Sequence, residues 1–127
     1  MLPTRSDALR DLLELAGARW TVDVACAMDV ACAMKGARPR FNELAHRVEG
    51  ISNKQLTQTL RRLQRCGFAR RIVFATIPPR VEYELTGLGL DFLAAINDIN
   101  DFVLRNHQVI AEAQLRFDES HDMAFMD

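Results

Sequence analysis

Apolar residues recur along this chain at intervals of three and four, interrupted once by a stretch in which they alternate. Leu9, Leu12, Leu13 and Ala16 share one face of a helix expected over Asp7 to Ala16, which Gly17 stops. A second helix is expected from Trp20 to Met34, ending at Gly36. Arg38-Pro39-Arg40 leaves room for no more than a strand stub. Phe41, Leu44, Ala45 and Val48 stand at i, i+3, i+4 and i+7, the spacing of a short amphipathic helix. Glu49-Gly50-Ile51 then turns the chain, and Ser52 with Gln55 three residues on forms a capping box for the next helix. Leu56, Leu60 and Leu63 are its buried stripe, and Cys66-Gly67 ends it. Ala69–Ala75 and Val81–Leu85 alternate and are β-rich. The two prolines of Thr76-Ile77-Pro78-Pro79-Arg80 cannot join a ladder, so this segment is a hairpin tip. Thr86 caps a last helix carried by Leu88, Phe92, Ala95, Ile96, Ile99, Phe102, Val103 and Val109 to about Phe117.

The fold class is therefore mainly α with a small β-hairpin (α+β). A 41–66 helix pair joined by a glycine-containing turn, followed by a 69–85 hairpin, has the layout of a winged helix-turn-helix. Residues 1–117 make one domain, with 7–34 and 87–117 as core and dimerisation helices, and 118–127 is an acidic tail expected to fray.

The net charge of −1 argues against a nucleic-acid binder until its distribution is read. Residues 1–37 sum to −1, residues 38–80 to +8 and residues 81–127 to −8. The basic block includes the helix opened by Ser52. Opposite its leucines, that helix presents Lys54, Gln58, Arg61 and Arg65 in one stripe, flanked by Asn53, Thr57 and Arg62. Arginine can grip guanine with two parallel hydrogen bonds, and asparagine or glutamine can do the same for adenine. No acidic residue occurs from Ser52 up to Glu82. A merely solvated helix mixes acid with base to gain i, i+4 pairs, so the acid-free run favours double-stranded DNA as the partner. Arg80 at the hairpin tip and Arg71 at its base add phosphate or minor-groove contacts. Arg40 adds a further backbone contact.

The stretch from Trp20 to Thr86 resembles the HxlR family of winged helix-turn-helix regulators, relatives of the MarR type. The motifs are Gly17-Ala18-Arg19-Trp20-Thr21, Arg40-Phe41-Asn42-Glu43-Leu44, the run from Gly50 to Gln58 with Leu60, Arg61 and Leu63, and the run from Pro78 to Thr86 with Gly89. The resemblance implies a homodimer built from the first and last helices, a recognition helix at 52–66, a wing at 69–85 and a dyad-symmetric operator. Repression by occlusion of a promoter is the output expected.

Three features depart from the family. The N-terminal cysteine with which many members sense oxidants or aldehydes is absent around Ser6 and Asp7. Thr59 stands where the family often has a basic residue, with Arg62 as a substitute contact. Asp23-Val24-Ala25-Cys26-Ala27-Met28 is repeated without change as Asp29-Val30-Ala31-Cys32-Ala33-Met34, and removing one copy restores the family's spacing between Trp20 and Phe41. Six residues lengthen a helix by about 9 Å and turn it by about 240°, so a kink or bulge is expected before Phe41. Apart from its aspartates this helix is apolar all round, which implies burial. One reading is a pocket for a small apolar effector lined by Cys26, Met28, Cys32 and Met34 with Trp20, Phe92 and Phe102. The other is a plain core and dimer helix.

Cys26 and Cys32 lie on different faces of one helix and cannot bridge within it, and Cys66 reads as structural. His46, His107 and His121 share no metal-ligand spacing. No phosphate loop, nucleophile elbow or acid pair points to an enzyme or to a cofactor. No apolar run is long enough for a membrane span, and the start of the chain lacks a signal-peptide layout, so a cytoplasmic location is expected. A winged-helix module that binds a protein or ligand and has lost DNA binding is the alternative to a regulator.

Overall fold

The computed structural model describes residues 2–126, and the side chains of residues 2–121. The order of elements is α1 (Arg5–Gly17), α2 (Thr21–Lys35), α3 (Phe41–Arg47), α4 (Asn53–Arg65), β1 (Ala69–Phe74), β2 (Arg80–Leu85) and α5 (Gly87–Met126). The chain divides into two units between Ala94 and Ala95.

The first unit holds the winged helix-turn-helix. α1 starts two residues earlier than expected, because Thr4 caps it. The Thr4 hydroxyl accepts from the Asp7 amide at 3.1 Å and the Asp7 carboxylate accepts from the Thr4 amide at 3.4 Å. α2 is α-helical throughout and closes on Gly36, whose φ of 63° is the left-handed region that favours glycine. The expected kink or bulge is absent, and the extra residues simply extend the helix. In α4 the Ser52–Gln55 capping box is formed in both directions, at 3.1 and 3.0 Å. Leu56, Leu60 and Leu63 are fully buried, in a core shared with Leu15, Val24, Met28, Leu44, Val48, Phe68 and Tyr83.

β1 and β2 form one antiparallel ribbon with Arg71 opposite Tyr83 and Phe74 opposite Arg80. The 38–40 segment makes no strand, but the Tyr83 amide donates to the Pro39 carbonyl at 2.9 Å, a single rung on the outer edge of β2. Thr86 caps α5. Its hydroxyl accepts from the Gly89 amide at 3.0 Å and donates to the Gly67 carbonyl at 2.6 Å. Gly89 presses on the Phe68 main chain so closely that a Cβ there would overlap the carbonyl. One turn on, Phe92 stacks on Phe68 with ring centroids 4.3 Å apart.

The second unit is the remainder of α5. The helix continues beyond Phe117, where its end was expected, through the acidic residues to Met126. Ile99, Phe102, Val103, Val109, Ile110 and Phe117 are exposed along it.

Candidate DNA-binding surface

α4 is the second helix of the pair, and its polar face is built by the helical period alone. At about 100° per residue, Lys54, Gln58, Arg61 and Arg65 fall within about 60° of one another. All four are exposed, while Leu56, Leu60 and Leu63 line the opposite side. Among the described residues, Lys54, Gln58 and Arg61 have neither an ion pair nor a side-chain hydrogen bond within the chain. Their donors are therefore available to an external partner. The capping box uses the Gln55 amide and leaves those of Asn53 and Lys54 at the helix mouth.

The flanks differ. Asn53 and Thr57 lie on one side, with Asn53 exposed and the Thr57 hydroxyl donating to the Asn53 carbonyl at 2.8 Å. Arg62 lies on the other side, where an open groove is lined by Asp11, Glu14 and Leu15 of α1 with Arg62, Arg65 and Cys66. Arg62 thus shares its surroundings with two carboxylates of its own chain. Thr59 is buried, and its hydroxyl donates to the Gln55 carbonyl at 2.8 Å. The position expected to lack a family DNA contact faces the core, so it leaves no gap on the reading face for Arg62 to fill.

The wing residues do not act as a pair. Strand alternation puts Arg71 on the ribbon face shared with buried Tyr83, and Arg80 on the opposite face. Arg71 is exposed and has no acidic partner among the described residues. Arg80 is not a tip cation. Its Nε lies 3.0 Å from Glu82 and its guanidinium 4.0 Å from the centre of the Phe74 ring. The tip itself is uncharged and exposed, from Ala75 to Pro79. Arg40 is exposed, and its carbonyl accepts from the Leu44 amide at 3.1 Å at the start of α3.

Sequence reasoning missed Arg38. It pairs with Glu82 at 3.1 Å and Glu84 at 3.8 Å. The period-2 alternation of β2 puts Arg80, Glu82 and Glu84 on one face, but nothing local in the residues showed that Arg38 would meet them. A second cluster joins the ends of α2 and α3. There the Glu43 carboxylate takes Lys35 at 3.0 Å and Arg47 at 3.5 Å. The hydrogen bond from Lys35 holds the Glu43 carboxyl below the usual glutamate range, with the charges of Lys35 and Arg47 adding to it.

Of the seven residues expected around an effector, the six in the first unit do not line one cavity. Met28 is fully buried in the core, and Phe92 is stacked on Phe68. Trp20 packs half-buried at the head of α2, with the Arg19 guanidinium 4.7 Å from its ring centre. Cys26 is half-buried in a shallow groove with Val30 and Val48, Cys32 is exposed, and Met34 is 72% exposed. Phe102 is exposed in the second unit. Burial pushes the Cys26 thiol up, and the carboxylates of Asp23 and Asp29 push it further. Among the described residues no cluster of His, Cys, Asp and Glu is arranged to hold a metal ion, and no helix is long and apolar enough to cross a membrane.

A helix-turn-helix whose second helix offers an acid-free polar stripe, unpaired among the described residues and backed by a hairpin, defines a winged-helix DNA-binding regulator of transcription. The chain belongs to the HxlR-like helix-turn-helix family, whose model matches residues 15–111. It is 32% identical over 97 residues to the HTH-type transcriptional regulator YtfH of Escherichia coli, covering 76% of this chain and 72% of that one. It is 35% identical over 111 residues to the HTH-type regulator YtcD of Bacillus subtilis, covering 81% of this chain and 83% of that one. Both relatives are uncharacterised. Among solved structures, the regulator YtfH of Salmonella typhimurium superposes with a TM-score of 0.63 at 29% identity, covering 87% of this chain and 95% of that one.

Proposed function

We propose that the chain binds a dyad-symmetric operator as a homodimer in the cytoplasm and represses transcription by occluding a promoter. The observation that carries this reading is the outward stripe of Lys54, Gln58 and Arg61, which no carboxylate among the described residues engages. In it, each α4 enters a major groove, with half-sites about 34–36 Å apart. Arg61, Lys54, Gln58 and Asn53 read base edges, and Thr57 accepts rather than donates. Arg40 and Arg71 take phosphates. Arg62, exposed on the flank of the stripe beside Asp11 and Glu14, adds attraction for phosphates.

The homodimer is supported by the apolar positions the chain leaves uncovered. Leu9 and Leu13 on α1 are 60% and 56% exposed, and Val103 and Ile110 on α5 are 44% and 40% exposed. A lone amphipathic helix is marginal in water unless its apolar face is packed. A cytoplasmic setting agrees with three free cysteines. The proposal includes no effector, since the residues expected to line a pocket are dispersed.

The test begins by selecting duplexes from a random pool with the wild-type chain and then following fluorescence anisotropy across a salt series. A specific complex with a steep salt dependence is the expected result. Arg61→Ala should lose at least about tenfold in affinity for the selected duplex, since one bidentate base contact is worth about 1–3 kcal/mol. If the wild-type chain enriches no sequence, or binds every duplex equally, operator reading is refuted.

A further inference from the structure

The outer face of the ribbon carries five charges that alternate in sign: Arg80, Glu82, Arg38, Glu84 and Arg70. Arg80 reaches Glu82 at 3.0 Å and Arg70 reaches Glu84 at 3.5 Å, so each carboxylate already has one cation from the hairpin. Arg38 is the member that comes from elsewhere, the connection between α2 and α3. Its Nε donates to Glu82 Oε1 at 3.1 Å, and its Nη1 lies 3.8 Å from Glu84. The guanidinium also lies 5.9 Å from the centre of the Phe74 ring. The next residue makes the backbone rung from Tyr83 to Pro39 at 2.9 Å. Two consecutive residues therefore hold β2 at once, one through its outward side chains and one through its edge.

An isolated surface ion pair contributes little. This arrangement differs in two respects. The carboxylate side chains keep only 16% and 25% of their exposure, and a single planar guanidinium bridges both. Loss of Arg38 would leave the hairpin's own pairs intact. It would remove the side-chain link between the hairpin and the segment that leads directly into α3, leaving the single backbone rung from Tyr83 to Pro39.

We propose that Arg38 is a positioning residue for the wing: it sets the tilt of the ribbon against the α3–α4 pair, and thereby aims Arg71, on the opposite face, at the DNA backbone. The inference rests on the operator-binding reading for its last step and on the contacts of Arg38 and Pro39 for its first. Arg38 does not touch DNA in this scheme.

The test uses the full chain as wild type, Arg38→Ala and Arg38→Lys, with one readout free of DNA and one with it. By hydrogen exchange, the Tyr83 amide should exchange at least about tenfold faster in Arg38→Ala, while the ladder amides between β1 and β2 keep their protection. With the duplex selected by the wild-type chain, Arg38→Ala should bind about tenfold more weakly. Its slope of log affinity against log salt should be shallower by about one phosphate contact. Arg38→Lys keeps the charge but cannot bridge two carboxylates, so it should fall between the two. Unchanged Tyr83 protection would overturn the proposal, as would faster exchange spread evenly over the whole unit. Unchanged affinity and slope in Arg38→Ala would remove the link to DNA. Should the wild-type chain select no duplex, operator reading fails by itself, and Tyr83 exchange still decides whether Arg38 holds the wing.

Discussion

Asp23–Met28 and Asp29–Met34 are the same six residues in one continuous helix, and they end in opposite surroundings. In the first copy Val24, Ala25 and Met28 are buried to within 1%. In the second, Val30 is 46% and Met34 72% exposed, and Ala31 is buried. The reason is the helical period. Six residues turn a helix by about 240°, so equivalent side chains of the two copies point in different directions, and of the apolar pairs only the small Ala25 and Ala31 are buried in both. The buried stripe of α2 instead runs Thr21, Val24, Ala27, Met28 and Ala31, at spacings of three and four across the boundary between copies. A seven-residue repeat would have turned by only about 20° and offered both copies to one partner. Burial here belongs to the phase of the helix, and the hexapeptide has no burial of its own.

The sharpest way to break this comparison is to make one substitution twice. Met28→Ala removes a fully buried side chain and should cost about 2–5 kcal/mol in chemical denaturation. Met34→Ala should stay within about 0.5 kcal/mol, as exposed positions do. Similar losses at both sites would mean that the second copy is also packed. Next in size is the difference between the cysteines. Iodoacetamide should label Cys32 at least about tenfold faster than Cys26 at neutral pH, since Cys26 is half-buried and its thiol is raised. The labelling rate of Cys26 should rise only above the pH at which an ordinary thiol reacts, and Asp23→Asn should move that rise downward. Because the two peptides are identical, the sites are separated with Cys26→Ser and Cys32→Ser variants.

The smallest effect concerns how the second copy is secured at its end. Lys35, the residue after it, is held by Glu43 rather than by burial. Glu43 has a lowered carboxyl in the folded chain, so its ionised form is stabilised by folding. That contribution is present above the ordinary glutamate range and is lost as pH falls through the lowered value. Denaturation midpoints of wild type and Glu43→Gln should therefore differ slightly at neutral pH and converge in acid. A gap that persists in acid would assign the difference to packing.

The same contrast explains which parts of the molecule were legible in the residues. α4 could be read because three local signals agree: a capping box at Ser52, leucines at 56, 60 and 63, and a left-handed glycine at 67. The free stripe of Lys54, Gln58 and Arg61 follows from the same period. What could not be read depended on contacts between distant segments. Arg80 looked like a tip cation until Glu82 and Phe74 took it, and the acidic neighbours of Arg62, Asp11 and Glu14, come from the distant α1. The residues grouped around an effector are separated for a related reason. They were grouped by composition, whereas a 240° phase difference sends Met28 and Met34 to different sides. The start of α1 was missed more simply, because Thr4 caps it from outside the apolar pattern.

The close approach of Gly89 to the Phe68 carbonyl constrains how this protein can change over generations. Any base change that replaces a glycine adds at least a methyl group, so no mild version of this joint can be sampled at residue 89. Adjustment of the way α5 leaves the wing has to be made at neighbours such as Thr86 or Phe92, where side chains can be traded in graded sizes.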